Sequence, residues 1–158
     1  MNLYLMRHGK AEDFSSTDSN RRLTEKGIFN TMKIAKHIAN VGLSFDRIIS
    51  SGYVRANETA KIISDSVGYI NNIEIDKRLV PNSEIGAVSE VISENSDCGN
   101  LLFVFHEPII GEFIRSVCSQ KNLLIEIPTS SLILIDLFRL RPMPSGSLEW
   151  FITPKIIS

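Results

Sequence analysis

The sequence predicts an α/β fold built on a mostly parallel sheet, with an antiparallel hairpin at one edge. Three observations predict it. Short apolar, β-branched runs alternate with longer amphipathic ones along most of the chain. The run "LLFVF", Leu101 to Phe105, is apolar on both faces, as a central strand of a parallel sheet must be. The last two apolar runs are joined by "RPMPSG", a Pro/Gly turn of the kind that closes a hairpin.

Taken in order, Leu3 to Met6 reads as the first strand. Thr24 is then a helix N-cap, and Ile28, Met32, Ala35, Ile38 and Ala39 recur at helical spacing before Gly42 ends the pattern. Arg47 to Ser50 forms a second strand, and "YVRANETAKIISDSVG" a second helix ending at Gly68. Ile73 to Ile75 is a short third strand, followed by a loop through Pro81 and a helix from Glu84 to Glu94. After "LLFVF", Pro108 suits the first turn of a helix running to about Cys118. The hairpin takes Leu132 to Leu140 and Ser147 to Ile152. With no internal repeat, low-complexity tract or linker, residues 1–158 are expected to form one domain.

Composition narrows the function. With 43% hydrophobic and 22% charged residues, the chain is an ordinary globular one. Its 17 basic and 18 acidic side chains leave a formal charge of −1, so no broad field would draw it to nucleic acid or anionic lipid, and neither is expected as a partner. Any anion site must be local. Cys98 and Cys118 fit no metal or redox spacing and read as structural thiols of a reducing compartment. The apolar start is too short for a secretory leader, and charges interrupt every longer apolar stretch. A soluble, cytoplasmic protein is expected.

Ligands of open α/β sheets bind beyond the carboxyl ends of the strands. Arg7, His8 and Gly9 follow the first strand, Ser51 to Arg55 follow the second, and His106 follows "LLFVF". Guanidiniums and imidazoles therefore converge on one edge from separate strands. Guanidinium forks match phosphate oxygens, a neutral imidazole is a nucleophile at phosphorus, and fixed donors can stabilise charge developing on the phosphoryl oxygens. Phosphoryl transfer asks for little else.

"LYLMRHGKAE", "IISSGYVRANETA" and "FVFHEP", in that order, resemble the three signature stretches of the histidine phosphatase (phosphoglycerate mutase-like) superfamily. The short chain and the "TDSNRRLT" segment are similar to its SixA-type phosphohistidine phosphatase branch. The resemblance implies a three-layer α/β/α arrangement, with helices on both faces of a central, mostly parallel sheet. It also implies that His8 is transiently phosphorylated and that Arg7, Arg55 and His106 complete the phosphate pocket. Gly9 would let its backbone hold the His8 tautomer, and Arg21 would act on the substrate side. No cofactor or metal is implied, and no sequence spacing suggests one. The implied substrate is phosphohistidine on a phosphorelay protein, such as a histidine phosphotransfer domain, or on a phosphocarrier protein. A small-molecule phosphomonoesterase and a non-catalytic phosphoryl-binding module remain the alternatives.

Three departures from the family pattern bear on turnover. Phe105 stands where a small residue usually precedes the second histidine; it either narrows the pocket or points into the core. Gly52 stands where proline is common, which would loosen the turn and let Arg55 wander. The glutamate that larger members use as proton donor is replaced by "RLVPNSE", where Glu84 is the nearest candidate. An imidazole leaves phosphorus more readily than an alkoxide, so a weak acid favours an N–P substrate. Elsewhere plainer roles are expected: His37 as an exposed helix residue, Thr129 to Ser131 as a turn, and Trp150 and Phe151 as packing.

Overall fold

A computed structural model describes residues 1–157. Strand β1 (Asn2–Arg7) leads through a loop and a short 3-10 turn (Asp18–Asn20) to helix α1 (Glu25–Asn40), then to β2 (Arg47–Ser50) and α2 (Val54–Val67). Next come β3 (Glu74–Ile75), a second 3-10 turn (Lys77–Leu79), α3 (Ile85–Glu94), β4 (Asn100–Phe105), α4 (Ile109–Val117), β5 (Leu132–Arg139) and β6 (Ser145–Ile152). The strands lie side by side in the order β3-β2-β4-β1-β5-β6. β3, β2, β4 and β1 run parallel, while β5 is antiparallel to both β1 and β6, so the hairpin closes one edge.

Alternation along the strands builds two cores. On β1, Leu3 and Leu5 pack beneath α3 and α4, whereas Tyr4 and Met6 pack beneath α1 and α2. β4 repeats the pattern: Leu101, Phe103 and Phe105 face α3 and α4, and Leu102 and Val104 face the opposite pair. Helices therefore cover both faces, the three-layer arrangement that an all-apolar "LLFVF" requires. Phe105 is fully buried, edge-on to Phe103, so it fills the core and not the pocket.

Helix α1 begins as expected, with the Thr24 hydroxyl accepting from the Gly27 amide at 3.1 Å. Its buried face differs from the expected one. Gly27, Thr31, Ile34, Ala35 and Ile38 are buried, while Ile28 and Met32 are partly exposed. The helix is turned so that its small residues meet the chain leaving β1: a Cβ on Gly27 would run into the Lys10 carbonyl. His37 is half-buried in the last turn, not exposed. Pro108 is the N-cap of α4 and lies outside its first turn, and β6 starts earlier than the sequence suggests, at Ser145. Phe151 packs on the α3/α4 core and Trp150 on the other, as neighbours in a strand should. Both cysteines are free thiols. Among the described residues, no helix is long and apolar enough to cross a membrane.

Candidate active site

β1 and β4 are neighbours whose last register pair is Arg7 opposite Phe105. The His8 amide donates to the Phe105 carbonyl at 3.1 Å, carrying the ladder one step further. His8 and His106 extend the alternation onto the α1/α2 side, and their ring centroids lie 4.9 Å apart at 54°. β4 lies between β1 and β2, so the loop after β2 borders the same edge. From that loop and the first turn of α2 come Ser51, Tyr53 and Arg55.

Hydrogen bonds fix the state of His8. Its Nδ1 lies 2.7 Å from the Gly9 carbonyl oxygen, an acceptor only, so Nδ1 carries the proton. The other ring nitrogen then keeps its lone pair, and Arg55 Nε donates to it at 3.2 Å. Burial pulls the His8 imidazolium down to about 4. The Gly9 carbonyl opposes this, while the charges of Arg55, Arg7 and Arg21 push the same way as burial. His106, 1% exposed, is also held well below its ordinary value by burial, then by His8 and Arg55. Both rings are neutral at pH 7.

Gly9 is placed by close packing. A Cβ there would come within 2.7 Å of Thr31 Oγ1 and 3.0 Å of the Gly27 carbonyl. Its amide donates to Thr59 Oγ1 at 3.0 Å, and the Thr59 hydroxyl donates to the Arg55 carbonyl at 2.7 Å, so α2 holds both residues. On the other side Ser130, in a left-handed conformation (φ 62°), donates its amide to the Arg7 and His8 carbonyls. Its hydroxyl meets Thr31 Oγ1 at 2.9 Å, both side chains being fully buried. The turn expected at Thr129 to Ser131 thus clamps the end of β1.

His106 Nε2 lies 2.7 Å from Ser51 Oγ, and the ring stands edge-on to Tyr53. Ser51 Oγ also accepts from the Tyr53 amide at 3.3 Å, and with a second lone pair and its own proton it can pair with His106 Nε2 in either tautomer. His106 Nδ1 is buried without a hydrogen-bond partner. Arg7 donates from Nη1 to the Ile127 carbonyl at 2.6 Å, while its buried Nε has no partner. Burial lowers the Arg7 pKa, against the nearby charges of Glu107 and Glu126.

Arg55 is 4% exposed, with its guanidinium carbon 4.9 Å from the centre of the Tyr53 ring. Gly52 does not loosen it. Gly52 sits at φ 89°, a conformation that favours glycine, and Arg55 is tied at all its nitrogens. Nη1 and Nη2 donate to Asp18, from the 3-10 turn after β1, and Arg21 Nη1 donates to the same carboxylate at 2.8 Å. Arg21 thus reaches the site through Asp18, whose role sequence reasoning did not foresee; the signal was its place three residues before Arg21 in "TDSNRRLT". Glu84 is exposed at the N-cap of α3 and shares no hydrogen bond or ion pair with His8, Arg7, Arg55 or His106. Among the described residues, no group of three or more His, Cys, Asp or Glu side chains is gathered as a metal site would need.

A neutral imidazole with an available lone pair, bordered by guanidiniums at the carboxyl edge of a parallel sheet, is an arrangement whose chemistry suits an anionic, phosphoryl-bearing ligand. The comparisons with known proteins agree. The chain belongs to the histidine phosphatase superfamily (branch 1), whose family model matches residues 3–82. It is 24% identical to phosphohistidine phosphatase SixA of Escherichia coli, over 98% of this chain and 94% of that one. With the SixA homolog of Haemophilus influenzae it shares 30% identity over 77% of this chain and 80% of the relative. A solved structure of the protein histidine phosphatase SixA complexed with tungstate has the same fold, with a TM-score of 0.90 at 23% identity over the whole of both chains.

Proposed function

We propose that this protein is a phosphohistidine phosphatase acting on a phosphorelay or phosphocarrier protein, with His8 as its nucleophile. One observation carries the reading: the His8 lone pair on Nε2 is kept available by the Nδ1 bond to the Gly9 carbonyl. In the first step that lone pair forms a bond to phosphorus as the N–P bond of the substrate breaks. The departing imidazole keeps the electron pair and takes a proton from water. In the second, a water oxygen bonds to phosphorus, the His8 N–P bond breaks, the water's proton is given up, and phosphate leaves. Arg55 Nε, no longer facing a lone pair, turns to a phosphoryl oxygen. Arg7 Nε and His106 Nδ1, both without a partner at rest, are further donors for the developing charge. Arg21 lies on the substrate side, and the scheme draws on no metal or cofactor.

The weakness of the acid supports an N–P substrate. Glu84 makes no contact with the cluster, and we assign it as proton donor only for an alkoxide leaving group, so Glu84→Gln leaves turnover of an N–P donor unchanged. On this reading the enzyme works in the cytoplasm, the reducing compartment that its two free thiols suit.

The test is rapid quenching after mixing with a labelled phosphohistidine donor. Acid-labile, base-stable label appears on the wild-type chain and is absent from His8→Ala. Faster hydrolysis of sugar or nucleotide phosphates would point to a small-molecule phosphomonoesterase, and tight phosphate binding without label to a binding module.

A further inference from the structure

Asp18 lies on the turn Asp18–Asn20, its side chain 55% exposed, yet it holds the most deeply buried cation of the site. Its carbonyl oxygen accepts from Arg55 Nη1 at 2.6 Å, and Oδ2 accepts from Arg55 Nη2 at 3.1 Å. The other carboxylate oxygen, Oδ1, accepts from Arg21 Nη1 at 2.8 Å. One residue therefore takes both terminal nitrogens of Arg55, and the remaining nitrogen, Nε, faces His8 Nε2 at 3.2 Å.

This division of the guanidinium decides between possible roles. A blocking carboxylate would take the nitrogen of Arg55 that faces the reacting nitrogen; Asp18 takes only the two terminal nitrogens and leaves Nε to His8, so a phosphoryl group on His8 Nε2 can meet Nε without displacing it. A proton donor would be neutral at working pH. Hydrogen bonding from Arg21 and then from Arg55 holds the Asp18 carboxyl below the usual carboxylate range, so it stays ionised. What remains is a brace. A guanidinium held by both terminal nitrogens can aim its Nε, as long as its anchor does not move.

We propose that Asp18 is a positioning residue that aims Arg55 Nε at the phosphoryl group on His8 and ties Arg21 to the same anchor, so that Arg21 acts on turnover through Asp18. The kinetic part rests on the function proposed above; the placement of Arg55 does not.

The test compares wild type with Asp18→Ala, Asp18→Asn, Arg21→Ala and the Asp18→Ala/Arg21→Ala double variant. Three readouts are followed: kcat and KM with a phosphohistidine donor, binding of inorganic phosphate by calorimetry, and the arginine Nε–H signals by NMR. The expected result is a kcat about 100-fold lower in Asp18→Ala, the loss that a misplacement of about 1 Å produces. Phosphate should bind as well or more tightly, because a negative charge has gone. Asp18→Asn, which keeps the carbonyl and one side-chain acceptor, recovers part of kcat. The Arg55 Nε–H signal is sharp in wild type and broadened in Asp18→Ala, and Arg21→Ala adds little once Asp18 is absent. Wild-type or faster turnover in Asp18→Ala would overturn the proposal, as would multiplying effects in the double variant or an unchanged Arg55 signal. Absence of label on wild-type His8 would instead sink the phosphatase reading, leaving the NMR and phosphate measurements to judge Asp18 alone.

Discussion

His8 and His106 face each other one residue beyond the Arg7–Phe105 pair of two adjacent parallel strands, ring centroids 4.9 Å apart. Imidazoles so close and so buried do not both become imidazolium, and here neither is charged at pH 7, because burial keeps each below its ordinary value.

The acid limb of activity should follow from this. A nucleophilic histidine of ordinary pKa loses reactivity near pH 6.5, whereas His8 keeps its lone pair down to about 4. The profile of kcat/KM against pH, corrected for spontaneous acid hydrolysis of the donor, is therefore expected to show no His8 inflection near 6.5. An inflection near 6.5 that coincides with titration of the His8 ring followed by NMR would contradict the assignment.

Stability should fall in acid over the same range. In the unfolded chain each histidine takes up its proton near 6.5, and in the folded protein only at lower pH, so the unfolded state binds more protons as pH drops. The contribution of neutral His8 is complete above 6.5 and is lost between 6.5 and about 4, by roughly 3 kcal/mol. His106 adds to the loss in the same direction. Urea midpoints taken at pH 7.5, 5.5 and 4.5 should decline, and His106→Asn should make the decline shallower. Midpoints that rise on acidification would refute this.

Gly27 offers a test far from the chemistry in sequence. A Cβ there meets the Lys10 backbone, which cannot yield as a flexible side-chain end would. Gly27→Ala is expected to cost about 1–3 kcal/mol and to push the Gly9–Lys10 segment off α1, disturbing the carbonyl that holds His8. Thermal melting and the His8 ring signals in NMR read the two effects; a variant with wild-type values for both would show that α1 simply shifts.

Ser130 separates strain from hydrogen bonding. It combines φ 62° with a buried hydroxyl contact to Thr31. Ser130→Ala keeps the unfavourable conformation and loses the contact, whereas Ser130→Gly relieves the former while losing the latter. The alanine variant should therefore be the less stable, by about 1 kcal/mol. Equal melting temperatures would mean that the conformation costs nothing here.

Much of this was legible in the sequence, because strand periodicity and helix punctuation act locally. Thr24, Gly42 and Gly68 mark helix ends where expected, the last two with positive φ. The motif residues at the ends of β1, β2 and β4 fall at one edge on sequence grounds alone, since parallel strands leave their carboxyl ends together. What escaped depended on pairs distant in sequence. The rotation of α1 that exposes Ile28 and Met32 is set by Gly27 against Lys10, and periodicity alone cannot see it. The spacing of Asp18 from Arg21 was visible, but its link to Arg55 was not, because Arg55 meets it only when a loop folds back over the edge. Gly52 and Phe105 looked like weaknesses as letters; one is dictated by a turn and the other by a core.

The position of β4 between β1 and β2 governs how the site comes into being. The first half of the chain already contains His8 and Arg55, but the strands that lead to them are not neighbours; a strand from later in the chain stands between them and pairs with both. Hydrogen exchange at the central amides of β4 should accordingly be as slow as global unfolding, and fragments ending before Asn100 should be inert however intact their motifs.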